Sequence, residues 1–490
     1  MAPRRLLTGE ERRRLFDAPH DETAIIGHYT LAAEDLELVG RRYRPANRLG
    51  LATHIALMRH PGFGLQPDIG VPDAVLHYLA AQIVVDADAF ADYGQRAQTR
   101  NDHADIAARH LGLRPFRRGD LPLALALAAK AAERTDQGEP IVRALMEGLK
   151  QERSILPSAD TLERAGLAGR ARARKAAAAL IIESLGHAEL TRIDDLIVNS
   201  SEFGMTPLAW LRNFEEAPTT ANINGLLERL RYVRGIGIDP AIGARIPDFR
   251  FTQFMREGGA APAFLLSDYS LNRRRATLVA AVIDLDARLA DKAIQMFDRL
   301  IGSLFTRARR GRERRYQDSI RSVGELMRLF GATIAALGEA VEHGGNPLEL
   351  IDEAVGWHRL VAAKTQVDAL AELAGENALV AASGRYATLR RFSPAFLDAF
   401  TFKASGSGSQ LVKAIDVIRD ANERKTRSLP DGVPLPFANR QWKRLITEDG
   451  QVDRRRYETA VMATLRDRLC APATYGSREP ATIAASTPIC

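Results

Sequence analysis

Apolar positions along the chain recur every three or four residues far more often than every second residue, which is the period of amphipathic helices. Ala, Leu, Arg and Glu, all strong helix formers, fill the long segments. Leu278, Val279, Val282, Ile283, Leu285 and Leu289 fall on one side of a helical wheel that runs on into 296–305, which predicts a long helix there. Short polar caps mark other starts: Ser158 or Asp160 for a helix over 161–185, and Ser393-Pro394 for one over 395–402. Pro/Gly-rich breaks fall at 60–72, 112–122, 238–247, 257–262, 344–347 and 430–436. No series of strands with alternating polarity and no repeat of fixed period is visible, so irregular bundles are expected rather than a regular solenoid. The pattern predicts an all-α fold of several consecutive helical bundle subdomains.

The breaks suggest four blocks. Residues 1–155 form an N-terminal helical module, and 156–262 a second one bounded by Pro157 and Gly258-Gly259. Residues 263–470 hold the long helices. Residues 471–490 are small, Pro- and Thr-rich and without apolar period, and are expected to be a disordered tail.

Composition narrows the function classes. With 490 residues, 46% apolar and 26% charged, the chain has the make-up of an ordinary globular protein, which excludes disorder over most of its length. Only two cysteines occur, Cys470 and Cys490, too few and too closely placed for a disulfide framework or a metal or redox spacing. The longest apolar runs, around 121–129 and 176–182, fall far short of a span of about 20 residues. The Arg-rich start (Arg4, Arg5, Arg12, Arg13, Arg14) leads into no apolar signal-peptide core. A soluble cytoplasmic protein with no membrane partner is expected. Net charge is +7, from 68 basic and 61 acidic residues, and 59 of the basic ones are arginine. Arginine is the better fork for phosphate and guanine edges, but GC-rich codons also favour it. Residues 1–150 carry 20 basic and 20 acidic groups, so the excess lies further on. This balance permits a nucleic-acid partner without demonstrating one.

The search for catalytic groups is negative. There is no P-loop, no nucleophile elbow and no paired His/Cys spacing. His54, His60, His103 and His110 read as core or surface residues, and Asp194-Asp195 or Glu215-Glu216 as caps or surface groups. No catalytic residue, metal ligand or cofactor is assigned. The basic clusters say more. Arg41, Arg42, Arg44, Asn47 and Arg48 stand together beside a helix start, with Tyr43 interleaved, and arginine and asparagine make the bidentate contacts to guanine and adenine. Arg96, Arg100 and His103 recur at helical spacing as one polar stripe, with Thr99 beside them. Arg170, Arg172, Arg174 and Lys175 form a second cluster spread round a helix. Arg273, Arg274 and Arg275 open a further helix, and Arg307, Arg309, Arg310, Arg312, Arg314 and Arg315 surround only Glu313. Each cluster reads either as a solvated face or as an attractor for a polyanion through counterion release.

Eleven segments in order also resemble one family. They are RRLLTGEERRRLF (4–16), IIGHYTL (25–31), NRLG (47–50), FADYGQRAQTRNDH (90–103), GLRPF (112–116), ILPSADTLER (155–164), TPLAWLR (206–212), LLERLRYVRGIGIDP (226–240), MFDRLIGSLF (296–305), GRYATLRRFSPAFLDAFTFKA (384–404) and WKRLITEDGQVDRRRYE (442–458). Together they resemble the N-terminal half of a replicative transposase of the Tn-three family. The resemblance implies helix-turn-helix-like modules that bind the terminal inverted repeats of a transposable element. It also implies middle helices that help pair subunits, as a homodimer or with a full-length transposase. In the family a later RNase H-like domain with three metal-binding carboxylates cuts and joins DNA. The resemblance stops near Leu469, where a tail of different character begins, so no catalytic residue is carried over; the readings are an inactive, frameshifted and truncated transposase or a natural short relative with its own tail. Such a chain is expected at the bacterial nucleoid when bound to DNA, and an end-binding protein without catalysis could block the full-length enzyme by occupying its sites. Arg41, Arg42, Arg44, Asn47, Arg48, Arg96, Thr99, Arg100 and His103 become the favoured DNA contacts, with Asn47 alternatively a cap and His103 a buried donor. The competing readings are a non-catalytic helical scaffold or dimerisation protein, and a helical enzyme with an unrecognised site.

Overall fold

The computed structural model describes residues 5–470 except 18, 20, 66–70, 376, 405 and 449, together with 483–486. Cys490, Arg4 and most of the expected tail lie outside the described residues. The fold is predominantly helical, as the 3.6-residue period predicts. In chain order the helices are α1 (Gly9–Phe16), α2 (Glu22–Tyr29), α3 (Ala33–Gly40), α4 (Pro45–Arg59), α5 (Asp73–Ile83), α6 (Ala97–His110), α7 (Leu121–Ala132), α8 (Gly138–Gln151), α9 (Ala159–Ile182), α10 (His187–Asp195), α11 (Pro207–Arg212), α12 (Thr220–Gly235), α13 (Asp248–Ala260), α14 (Ala263–Ser267) and α15 (Leu271–His343). They continue with α16 (Pro347–Val355), α17 (Trp357–Gly375), α18 (Ala378–Ser383), α19 (Tyr386–Arg390), α20 (Ser393–Ala399), α21 (Ser409–Glu423), α22 (Arg440–Ile446) and α23 (Arg454–Cys470). Two short antiparallel pairs accompany them, β1 (Thr401–Ala404) with β4 (Ile483–Ser486) and β2 (Thr447–Glu448) with β3 (Gln451–Val452). Among the described residues no helix is long and apolar enough to cross a membrane.

The chain forms two compact units, residues 1–198 with 238–283 and residues 199–237 with 284–490. Pro157 stands between α8 and α9, and the 257–262 break closes α13, so both breaks are element boundaries within the first unit.

In the first unit α4 is the hub. Eight consecutive residues, Leu49 to Ala56, are buried, so water reaches no face of the helix there. Ile25, Val39, Val75, Leu79, Ile83 and Ala107, from α2, α3, α5 and α6, close round it. Asp35 joins three of these helices. Its carboxylate, fully buried on α3, accepts from Arg59 of α4 at 2.8 Å and from His110 of α6 at 2.7 Å. Burial alone would raise its pKa, but the bonds from Arg59 and His110 outweigh it, and the carboxyl is held below its ordinary value.

A second core lies between α1, α7, α8 and α9, built on Leu15, Ala124, Ala128, Ile141, Val142, Leu145 and Leu162. The segment after residue 238 is fastened to it by one buried arginine. Arg250 of α13, 1% exposed, donates to Asp136 at 2.5 Å, to Gln253 at 2.9 Å and to the carbonyls of Ala132 and Thr135 at the end of α7. A helix C-terminus is a favourable place for a cation. Asp136 also accepts from Gln253 and from Arg174 of α9 at 2.5 Å, and its backbone carbonyl accepts from Arg170 at 3.0 Å.

In the second unit Phe297 of α15 stacks on Phe396 of α20 at 4.1 Å, and Phe400 and Phe402 extend the aromatic cluster. The helix expected over 395–402 runs instead over Ser393–Ala399. The backbone turns extended at Phe400, and the aromatic and β-branched residues that follow make β1, a sequence that suits a strand better than a helix. The other predicted positions agree more closely. The helix expected over 161–185 is α9, and Leu278, Val279, Val282, Leu285 and Leu289 are buried on α15, with Ile283 half-buried. Glu458 of α23 is buried between Arg454 at 2.6 Å and the Tyr386 hydroxyl at 2.8 Å.

Asp136→Asn is expected to strand the Arg250 charge and cost the first unit about 3 kcal/mol or more. Glu37→Gln, which breaks an exposed pair on one helix, is expected to cost under about 1 kcal/mol. Burial opposes the charge on Asp136, but the bonds from Arg174, Gln253 and Arg250 win and hold its pKa at about 2. Because the folded value lies below the unfolded one, this stability is present at neutral pH and lost as pH falls from about 4 toward 2. Urea unfolding of both variants checks the ranking, and equal losses would remove Asp136 as the fastening group.

Candidate nucleic-acid interface

The first polar cluster lies where α3 ends and α4 begins. Arg41 caps α3 and spends its charge on Glu37 at 2.7 Å. Tyr43 and Arg44 are exposed, and Arg44 occupies the N-cap position of α4 without a side-chain capping bond. Pro45 starts the helix, where its missing N–H costs nothing. Asn47 is therefore inside the first turn rather than the cap, and it is half-buried. Arg48 points inward, and its Nη2 donates at 3.1 Å to the carbonyl of Ile83 at the end of α5. Arg42 is half-buried, with its Nε buried and unpartnered, and it lines a groove with Thr99, Asp102, His103, Asp105, Ile106 and Arg109 of α6.

The stripe read as Arg96, Arg100 and His103 turns inward instead of facing solvent. Ala104, Ala107 and Leu111 continue it, and Ala107 is fully buried. Arg100 donates to the carbonyl of Gly94, and His103 is 5% exposed. Arg96 stays outside, exposed at the N-cap of α6, and Thr99 is half-buried at the groove edge. The opposite face of α6 carries Gln98, Asn101, Asp102, Asp105 and Arg109, all exposed. The sequence reading missed these five. Following the alanines at 104, 107 and 108 as the inward face finds them, because the outward residues recur at 98, 102, 105 and 109.

One aromatic ring sets this face. Tyr93 lies over Gly50 of α4 so closely that a Cβ there would stand 2.1 Å from the ring. Its hydroxyl and His103 Nδ1 are 3.1 Å apart, with the two rings stacked at 5.6 Å. Behind it His54, 2% exposed, meets Tyr93 edge-on at 6.1 Å, and neither ring nitrogen has a partner. Burial, and then His103, push the His54 pKa down to about 4. Burial, and then Arg42, lower that of His103. Both imidazoles are therefore neutral at physiological pH.

The second cluster divides. Arg170 and Arg174 serve Asp136 in the core fastening, whereas Arg172 and Lys175 are exposed on α9. Arg273 pairs with Glu257 at 3.0 Å, and Arg275 grips Asp194 at 2.7 Å, so the run opening α15 is held within the first unit. Further along α15, Arg307, Arg309, Arg310 and Arg314 are exposed. Among the described residues no three His, Cys, Asp or Glu side chains gather as metal ligands.

Comparison with known proteins places this face in context. The family described as a domain of unknown function (DUF4158) matches residues 6–168, from before α1 into α9. The chain is 31% identical over 469 residues to the transposase for transposon Tn3926 of Escherichia coli, covering 96% of this chain and 47% of that protein. It is 30% identical over 468 residues to the transposase for transposon Tn501 of Pseudomonas aeruginosa (95% and 47%). It is 28% identical over 482 residues to the transposase for transposon Tn1546 of Enterococcus faecium (97% and 49%). The similarity to Tn-three family transposases thus runs through almost the whole chain, which spans about half the length of these relatives.

The depressed His54 value has a direct consequence. An unfolded imidazole titrates near 6.5 and the folded one at about 4, so between these values protons bind the unfolded chain preferentially. The contribution of His54 is full above about pH 6.5 and lost as pH falls toward 4. His60, also lowered to about 4 by burial, adds to the same trend. His54→Leu is expected to make the fall in the urea midpoint between about pH 7 and pH 4.5 shallower than in the parent chain. An unchanged slope would show that His54 charges freely in the folded state.

Proposed function

We propose that the first unit binds duplex DNA, at the terminal inverted repeats of a transposable element, as part of a replicative transposase. The observation that carries this reading is the outward polar face of α6, flanked by the exposed Arg44 and Arg96 and by Arg42 in the groove, within a chain similar to transposases over 96% of its length. A 14-residue helix of this kind suits the major groove, and cations beside it suit phosphates. Arg172 and Lys175 are two further exposed cations, on α9, that suit phosphates in the same reading. Arg48, Arg100, Arg170 and Arg174 are assigned to the scaffold, because each donates to a protein carbonyl or carboxylate.

Binding to duplex DNA carrying the element's inverted repeat is expected to weaken steeply with salt. Arg44→Ala with Arg96→Ala is expected to lower the slope of log K against log salt by about 2, one counterion for each lost phosphate contact. Fluorescence anisotropy over a salt series measures it. Absence of duplex binding at about 50 mM salt would remove the reading.

A second copy of the chain is also proposed as a partner, on a separate observation. On α15 the exposed Tyr316, Met327, Phe330, Ile334, Leu337 and Val341, with Ile320 and the half-buried Val323 between them in sequence, alternate at spacings of four and three. This is the a/d register of a coiled coil. Leu326, Ala336 and Ala340 face elsewhere and are already buried, Ala336 in a cluster with Ile351 and Val355 of α16. Gly324, Gly331 and Gly338 repeat at seven-residue intervals beside the seam with open space above them, which allows a second helix to approach closely. Sedimentation is expected to give a dimer, and Phe330→Glu with Leu337→Glu a monomer of unchanged helicity. A monomeric parent chain would reject the pairing.

A further inference from the structure

We infer that the groove between Arg42 and α6 reads a G·C base pair, with Arg42 donating to the guanine and Asp102 accepting from the cytosine. The inference rests on the DNA-binding reading and goes beyond it by assigning the base and the two side chains. Four observations carry it. The groove is lined by two cations, Arg42 and Arg109, and two carboxylates, Asp102 and Asp105, so its formal charge is zero. A phosphate gains nothing from such a lining, because the carboxylates repel it. The edge of a base pair offers acceptors and donors together, and it matches a lining that does the same.

The donor side is prepared. Arg42 has a buried Nε with no partner, while its neighbour Arg41 is already spent on Glu37. A half-buried guanidinium at the groove edge, in no ion pair among the described residues, suits the O6 and N7 of guanine. The acceptor side is prepared as well. Gln98 Nε2 donates to Asp102 Oδ1 at 2.8 Å one turn away, which orients the carboxylate and leaves Oδ2 for the cytosine amine. The groove floor is His103, whose Nδ1 faces the Tyr93 hydroxyl, so that ring is fixed by the packing on Gly50 and adds no charge of its own. The half-buried Ile106 closes the groove on its apolar side.

Selection from a library of random-sequence duplexes with the full chain tests the assignment. The parent chain is expected to enrich a motif with an invariant G·C pair. Arg42→Ala is expected to lose the guanine preference, and Asp102→Asn the cytosine preference, each by about ten-fold in discrimination with helicity unchanged. Arg96→Ala, outside the groove lining and a phosphate contact in the same reading, serves as a control that lowers affinity without altering that position. A motif reproduced unchanged by both variants overturns the assignment and leaves the DNA-binding reading intact; salt-sensitive duplex binding that enriches no motif overturns the assignment and leaves duplex binding without its specificity for element ends. Failure of the parent chain to bind any duplex overturns both.

Discussion

The contact of the Tyr93 ring with the bare Cα of Gly50 is the constraint on which the N-terminal face depends. It brings a loop from before α6 onto the buried helix α4 at a distance no other residue at position 50 permits. The hydroxyl of that same ring meets His103, and Gly94 next to it accepts from Arg100. The inward face of α6 is thus fixed by two polar contacts and an alanine stripe, and its outward face follows from helical geometry alone. Asp35 provides the matching clamp at the other end of α6, where His110 and Arg59 converge on one buried carboxylate. A polar network of this kind is stable only when its members are satisfied. His54 has two buried nitrogens without a partner among the described residues, and the neutral ring spares the core a buried charge.

Arginine does two kinds of work here, and the division is physical. Arg48, Arg229 and Arg250 all donate to main-chain carbonyls at or near helix C-termini, where carbonyls lack partners within the helix and the macrodipole favours a cation. Arg250, Arg170 and Arg174 share one aspartate residue in the core fastening. Arg44, Arg96, Arg172 and Lys175 are among the basic residues that stay exposed. A count of basic residues therefore overstates the surface available to a polyanion. A large share of the 59 arginines in the chain is explained by helix ends and ion pairs inside the fold.

The helical period made the all-α class and the positions of α9 and α15 legible in the sequence, because burial on one face repeats locally. The site was legible only in outline. Residues 41–48 and 96–103 were singled out, and the structure brings Arg42, Thr99 and His103 of these stretches to one groove, but their orientation was not readable from charge. Arg100 and His103 read as part of one polar stripe, with His103 alternatively a buried donor, and they turn inward because the stripe continues as Ala104, Ala107 and Leu111. Arg48 was grouped with base readers, and its Nη2 donates to the carbonyl of Ile83, 35 residues away on another helix. Such assignments depend on contacts distant in sequence. Gln98, Asn101 and Asp102 are uncharged or acidic, and a search for cations passes over them. Pairing through the long helices was expected from the sequence, but the seven-residue repeat on α15 stands out only once Leu326, Ala336 and Ala340 are seen to be buried and Phe330, Ile334 and Leu337 exposed.

The electroneutrality of residues 1–150 also takes on a meaning. Non-specific DNA affinity grows with the number of phosphates neutralised, and a genome offers a vast excess of wrong sites. A module with 20 basic and 20 acidic groups gives up most of that general attraction. Carboxylates placed on the outward face of α6 go further, since they penalise every approach in which no base donor meets them. Discrimination between partners is a difference of affinities, and a repulsive element widens it as effectively as an added contact. Asp102 and Asp105 beside Arg42 and Arg109 have the composition such a filter needs: cations that reward the correct edge, and anions that make an unmatched one costly.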